Sequence, residues 1–436
     1  MQNPSLTIPR NWAARFFTIW GGQAFSLFGS ALVQFALVWY LTKQTGSATV
    51  LATATLVAML PQIVLGPFVG ALVDRWNRRV IMIVADGSIA LATAALIYLF
   101  ATGQVQVWHI YLILMIRSLG QAFHFPAMQA TTSLMVPEKQ LTRISGANQT
   151  LQGVTNIVAP PTGALLLEVL PMHSVLAIDI LTALLAITPL LFIPIPQPER
   201  SVEPVDVNGE SKPAGFMQEV REGLRYVASW PGLLAILIMA TLINFLLTPT
   251  SSLMPLLVTK YFGLGALQFG LMDSAWGFGV ILGGLALSAW GGFRRKIVTS
   301  VIGIIGIGLG VSIVGFAPAD KYWLAIAGMS LVGIMNPITN GPLFAVIQST
   351  VRPDMQGRVM SLIMSAATAM TPLSLMVAGP VSDAIGIRTW FWFGGILCLL
   401  MGVGAFFVPA ILNMESNHNG KSDASVERPA FTVSAD

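Results

Sequence analysis

Among the ionisable residues inside the long apolar runs of this chain, Asp86, Arg117, Asp179 and Asp273 stand out. At bilayer depth such a group costs about 2.5–3.5 kcal/mol on insertion scales, so each is a functional candidate by default. Arg117 lies deepest, roughly 15 Å into its run at ~1.5 Å per helical residue. A guanidinium does not deprotonate, so it needs an anionic partner, a cage of carbonyls or water. Asp86 lies in the third apolar run and Asp179 in the sixth, at corresponding depths if each half of the chain contains inverted three-helix repeats. Either could exchange a proton during a transport cycle with Arg117 as its electrostatic counterweight, and either could instead brace a neighbouring helix. Asp86 is the first choice, because it shares its half of the bilayer with an acidic and arginine-rich loop, and Asp273 in the eighth run is the equivalent in the second half. His124, flanked by Phe123, Phe125 and Pro126, reads as a packed or interfacial histidine.

These groups need a scaffold, and composition says which solvent it meets. Only 10% of the 436 residues are charged and 55% are hydrophobic, with a mean hydropathy of +0.74. A soluble domain carries about 25% charge, so the solvent for most of this chain is lipid. A single cysteine, Cys398, cannot close an intramolecular disulfide, and His109, His124, His173 and His418 share no metal-ligand spacing. No metal site and no cofactor are expected. The first run, 16–41, is too long for a signal-peptide core and reads as a span.

Twelve runs of membrane-crossing length emerge, six in an N-terminal half (1–195) and six in a C-terminal half (230–412). Between them, 196–229 is dense in Glu, Pro, Lys and Arg and reads as a cytoplasmic loop, with Phe216, Val220, Leu224 and Val227 at the spacing of a surface helix. Residues 413–436 read as a disordered cytoplasmic tail. With both termini inside, 18 of the 23 Lys and Arg fall on the cytoplasmic side and only Lys43, Lys260, Lys321 and Arg388 outside. That bias orients the chain and leaves nothing for nucleic acid to explain.

The halves align on each other. At an offset of 217, Thr42-Lys43 meets Thr259-Lys260, Leu65-Gly66 meets Leu282-Gly283 and Arg78 meets Arg295; at 216, Pro126 meets Pro342 and Gln140 meets Gln356. Two six-helix repeats joined by a loop are the pattern of secondary transporters, whose substrate site lies between the halves near the midplane. The expected fold is therefore an all-α integral membrane protein of 12 transmembrane helices.

The loop after the second run, Gly70-Ala71-Leu72-Val73-Asp74-Arg75-Trp76-Asn77-Arg78-Arg79, resembles the G-x-x-x-D-R-x-G-R-R motif of the major facilitator superfamily. The resemblance implies that Asp74 approaches the N-terminus of the eleventh span near Gly357–Val359, at the positive end of a helix dipole, and latches the halves in the outward-facing state. It also implies that Arg75, Arg78 and Arg79 meet acidic groups and lipid phosphates. Asn77 stands where the motif has glycine, and asparagine is expected there because it tolerates left-handed backbone. Further segments, including Ile19-Trp20-Gly21-Gly22-Gln23, Ile116-Arg117-Ser118-Leu119-Gly120 and Gln356-Gly357-Arg358-Val359, resemble the macrolide-efflux branch of the drug:proton antiporter-3 family over roughly residues 12–412. The antiporter signature of the fifth span survives only as Ala159-Pro160-Pro161-Thr162-Gly163.

Gln23, Gln34 and Asn244, with Trp20, Phe35 and Phe245, would line a mostly apolar cavity suited to a bulky amphiphile. The expected partners are that amphiphile, protons and membrane lipids, handled by a monomer in a bacterial cytoplasmic membrane. By the same resemblance, siderophores or lipids are alternative cargoes. No G-x-x-x-x-G-K-[ST] loop is present, and the chain lacks the paired acids, clustered histidines or G-x-S-x-G turn of a membrane enzyme.

Overall fold

The computed structural model describes residues 11–196, 221, 225–351 and 355–415. Among them are twelve long helices: α1 (Trp12–Thr45), α2 (Ala48–Arg75), α3 (Arg78–Ala101), α4 (Val107–Met135), α5 (Glu138–Val169), α6 (Met172–Phe192), α7 (Pro231–Leu256), α8 (Ala266–Trp290), α9 (Lys296–Phe316), α10 (Tyr322–Thr350), α11 (Gln356–Ile385) and α12 (Ile387–Ala405), with a short α13 (Pro409–Leu412). Ten are long and apolar enough to cross a membrane. In lipid the backbone must satisfy its own hydrogen bonds, so an apolar run of this length can only coil. α5 begins at Glu138, earlier than its apolar run, with Pro137 as its N-cap residue. Of the surface helix expected across the central loop, only Val227 falls on described helix; Phe216, Val220 and Leu224 lie outside the described residues, as does the tail beyond 415.

Helices α1–α6 form one bundle and α7–α12 the other. They meet along two seams, α5 against α8 and α2 against α11. The end of the bundle carrying the Asp74–Arg79 turn is called the loop end below, and the opposite end the far end. At the loop end Asn77 stays in extended backbone, φ −69°, and no described non-glycine residue is left-handed. It serves instead as the N-cap of α3, its Oδ1 accepting from the amides of Arg79 (3.0 Å) and Val80 (3.4 Å). Arg79 grips the carboxyl end of α6, donating to the carbonyls of Leu190 and Leu191. A cation at unpaired C-terminal carbonyls is favoured by charge and dipole alike, so this motif arginine clamps α3 to α6.

Prolines shape the seams. Pro161 has no N–H to give the carbonyl of Ile157, four residues earlier, and Ser274 of α8 donates to that oxygen instead, at 2.5 Å. Pro249 likewise frees the carbonyl of Phe245, which accepts from Ser374 of α11. α7 closes with a π-helical turn, Leu257–Tyr261, just beyond Pro255.

Candidate substrate cavity and buried charges

Arg117 and Asp179 meet in the core of the first bundle as an ion pair. Nη1 donates to the Asp179 carboxylate and to Thr93 Oγ1 (3.1 Å), and Nη2 to the backbone carbonyl of Ser30 (3.2 Å). Asp179 also accepts from Thr93 Oγ1 at 2.9 Å and Ser30 Oγ at 3.1 Å. Both side chains are nearly inaccessible, 7% and 2% exposed. A buried charge is tolerable only with its partner and hydrogen bonds in place, and here α1, α3, α4 and α6 each supply a group.

Nearer the loop end, Asp86 is buried on α3 and accepts from Gln23 Nε2 of α1 at 3.2 Å. His124 of α4 puts Nε2 3.6 Å from the other carboxylate oxygen. Acid, imidazole and amide thus form a second polar cluster, apart from the Arg117 pair. Gln23, read as a cavity residue, is committed to Asp86; Trp20 donates to Asn148 of α5 at 2.6 Å, and Phe245 packs against Trp390 with ring centroids 6.4 Å apart.

Gln34 and Phe35 do line a space between the bundles. This cavity, about 370 Å³, is walled by α1, α2, α5, α7 and α8 and includes Thr155, Asn156, Ser251, Ser252, Phe269, Asp273 and Trp276. Asp273 is exposed to it and receives no hydrogen bond from any described residue. A second chamber of about 450 Å³ opens inside the C-terminal bundle among α7, α9, α10 and α12, lined by Asn244, Asn336, Thr339 and Asn340. Ser251 and Trp276 line both spaces.

Described contacts seal the far end. Phe35 stacks on Phe269 at 5.0 Å, with Trp39 on the same ring at 6.2 Å. Gly270 lies so close to Pro160 that a side-chain Cβ there would come within 2.9 Å of its carbonyl. Asp383 of α11 caps the start of α2, accepting from the amides of Ala48 (2.8 Å) and Thr49 (2.9 Å) and the hydroxyls of Ser47 (2.9 Å) and Thr49 (2.7 Å). This contact was not foreseen in the sequence, where Asp383 falls at the edge of an apolar run. At the loop end, the side chains of Asp74 and Arg75, the surroundings of Gly70 and the Gly357–Arg358 side of the expected latch lie outside the described residues, while Arg78 is buried.

Helices of membrane-crossing length around cavities, with a charge pair in the interior, define a multi-pass membrane protein of transporter-like architecture. A sequence model of the Major Facilitator Superfamily matches residues 19–374 and 236–432, and the chain belongs to that superfamily. It is 35% identical to macrolide efflux protein A of Streptococcus pyogenes over 393 residues, 90% of this chain and 95% of the relative. It is 27% identical to the multidrug efflux pump Tap of Mycolicibacterium fortuitum, over 89% and 94% of the two chains. Among solved structures, a bacterial homolog of the human lysosomal transporter Spinster superposes with a TM-score of 0.67 at 14% identity, covering 94% of this chain and 98% of the other. The nucleoside transporter NupG gives 0.66 at 12% identity, over 89% and 98%. The protein is therefore a multi-pass transporter of the cell membrane, in the macrolide-efflux branch of its superfamily.

Proposed function

We propose that the protein exports an amphiphilic drug-like compound, of the macrolide class, in exchange for protons by alternating access. It does so as a monomer of 12 spans arranged as two six-helix repeats, with both termini in the cytoplasm. The observation that carries this reading is the cavity between the bundles, lined by Gln34, Phe35, Trp276 and Asp273 and roofed by the Phe35–Phe269 stack. An apolar wall with a few polar groups suits a bulky amphiphile. A sealed far end is the arrangement expected of an inward-facing exporter about to load. The efflux names of the relatives point the same way.

For the proton, Asp86 beside His124 is the proposed carrier. It is a buried acid with an imidazole 3.6 Å away and no Lys or Arg paired with it among the described residues. Asp179, by contrast, is held by Arg117. Asp74, with Gly70 and the motif arginines, is proposed to latch the opposite, outward-facing state. The test is uptake of a labelled macrolide into inside-out vesicles with and without an imposed proton gradient. Gradient-driven uptake that falls to background in Asp86→Asn supports the mechanism and its carrier. Gradient-driven uptake that persists in the variant removes Asp86 from the proton path, and absence of uptake in the wild type removes the macrolide.

A further inference from the structure

The contact between α11 and the start of α2 is one that only an ionised acid completes. Asp383 Oδ1 accepts from the amide of Ala48, and Oδ2 accepts from the amide of Thr49 and from the hydroxyls of Ser47 and Thr49. A carboxylate only accepts, with room for about four donors, so its capacity is fully used. The two hydroxyls can turn and accept from a protonated acid. The two amides open α2, where no helical carbonyl exists to take them. A proton on either oxygen therefore competes with at least one amide, and it removes the charge that strengthens the remaining bonds and suits the helix dipole.

The seam has no slack to absorb a weakened cap. Four residues before Asp383, Gly379 brings the α11 backbone so close to α2 that a Cβ there would lie 2.8 Å from the Cα of Thr49. Relief comes by parting the two helices. The acid itself is exposed at the far end. The charged groups on the neighbouring elements are Lys43 in the last turn of α1, Lys260 after α7, whose tip lies against Gly46, and Arg388 of α12, which donates to the carbonyl of Gly315 and covers the Tyr261 ring. Among the described residues none of them pairs with Asp383, whose partners are the four donors on the α2 start.

Resting on the exporter reading, in which the far end faces outside, we propose that Asp383 is a second proton site of the cycle, separate from Asp86, and that it works the outer gate. Ionised, it holds α2 to α11 and keeps the far end shut. It takes a proton from the water outside, the cap loosens, and the far end opens to admit the coupling proton to the first bundle. The proton on Asp383 returns to the same side before that end can shut again. An acidic exterior thus biases the empty carrier towards the state that loads protons. Asp74 stands at the end of α2 as Asp383 stands at the end of α11, so one helix pair carries an acid for each gate.

The test is an inter-label distance across the far end, read by electron–electron double resonance on the purified full-length protein in lipid nanodiscs, without cargo or gradient. Labels go on Gln104→Cys, between α3 and α4, and Asp320→Cys, between α9 and α10, both exposed, in a Cys398→Ser background. On moving from neutral to acid pH, the ratio of long to short distances is expected to rise about tenfold, the scale of one helix cap lost. Asp383→Asn should show the long distance at both pH values, and Asp383→Glu should restore the response. Asp86→Asn should leave the response in place, which separates this gate from the proposed carrier. Thr49→Val, which removes one donor and keeps the acid, should raise the long-distance population at neutral pH and still respond to acid. No response in the wild type, a response that survives Asp383→Asn, or one lost in Asp86→Asn overturns the assignment. Should Asp383→Asn fail to fold, Thr49→Val decides: a raised long-distance population at neutral pH supports the gate, and an unchanged one overturns it. Because no cargo is present, failure of macrolide uptake would leave this result standing.

Discussion

The Arg117 guanidinium and the Asp179 carboxylate neutralise each other inside the first bundle, and Thr93 bridges them by donating to one and accepting from the other. Removing one partner of such a pair strands a buried charge, at about 3–5 kcal/mol. Asp179→Ala or Arg117→Ala alone is therefore expected to lower the midpoint of thermal unfolding in detergent sharply, with poor recovery from membranes. Arg117→Met/Asp179→Leu, which removes both charges and keeps the volume, should recover much of the loss. A double variant as unstable as the singles would show that the pair does more than neutralise itself.

Asp383 holds the start of α2 through four donors, two of them backbone amides that no helical carbonyl can satisfy. Loss of a cap costs about 0.5–2 kcal/mol, which moves a two-state equilibrium by roughly two- to thirtyfold. Asp383→Ala should open the far end. The check is labelling of a cysteine placed at Gln34, in a Cys398→Ser background, by a membrane-impermeant maleimide added outside intact cells. Several-fold faster labelling in the variant is expected; an unchanged rate would mean that the aromatic stack alone keeps this end closed.

Helix positions were legible in the sequence because lipid leaves an apolar run one way to satisfy its backbone, and twelve runs became twelve described helices. The partners of the buried charges were not. Nothing local distinguishes Asp86, Asp179 and Asp273, and only the folded bundle decides that Asp179 reaches Arg117, that Asp86 meets Gln23 and His124, and that Asp273 stands free in the cavity. His124 looked like packing because its sequence neighbours are aromatic, yet its imidazole points at an acid one helix away. Asn77 misled for a physical reason: asparagine suits both a left-handed turn and an N-cap, and α3 begins immediately after it. The freed carbonyl at Ile157 could be read from Pro161, but its partner Ser274 belongs to the other bundle.

Adjacent glycines on α8 separate close packing from mere helix content. A Cβ at Gly283 would strike the carbonyl of Ile334 on α10, whereas one at Gly284 would meet nothing within 4 Å. Gly283→Ala should cost about 1–3 kcal/mol through overpacking, while Gly284→Ala should be neutral or stabilise by up to about 1 kcal/mol as glycine leaves a helix interior. Thermal unfolding of the two purified variants side by side decides it. Equal behaviour would mean that α8 and α10 can slide apart without loss.

The Ser274–Ile157 hydrogen bond exists because Pro161 leaves a carbonyl without its helical partner, so it can be removed from either side. Pro161→Ala restores an N–H to α5, and the Ile157 oxygen then has a competitor for Ser274 across the seam. The helix itself should gain, since proline costs an interior about 3 kcal/mol relative to alanine when nothing compensates. The seam should lose, because Ser274 is left with a weaker acceptor. Ser274→Ala reaches the same seam by the other route: it strands the Ile157 carbonyl, at about 1–3 kcal/mol, with no gain in α5. Both variants should therefore speed maleimide labelling at position 34 from outside, while their thermal midpoints move in opposite directions, up for Pro161→Ala and down for Ser274→Ala. Labelling that responds to Pro161→Ala alone would show that the proline kink, rather than the hydrogen bond it creates, sets the fit of α5 against α8.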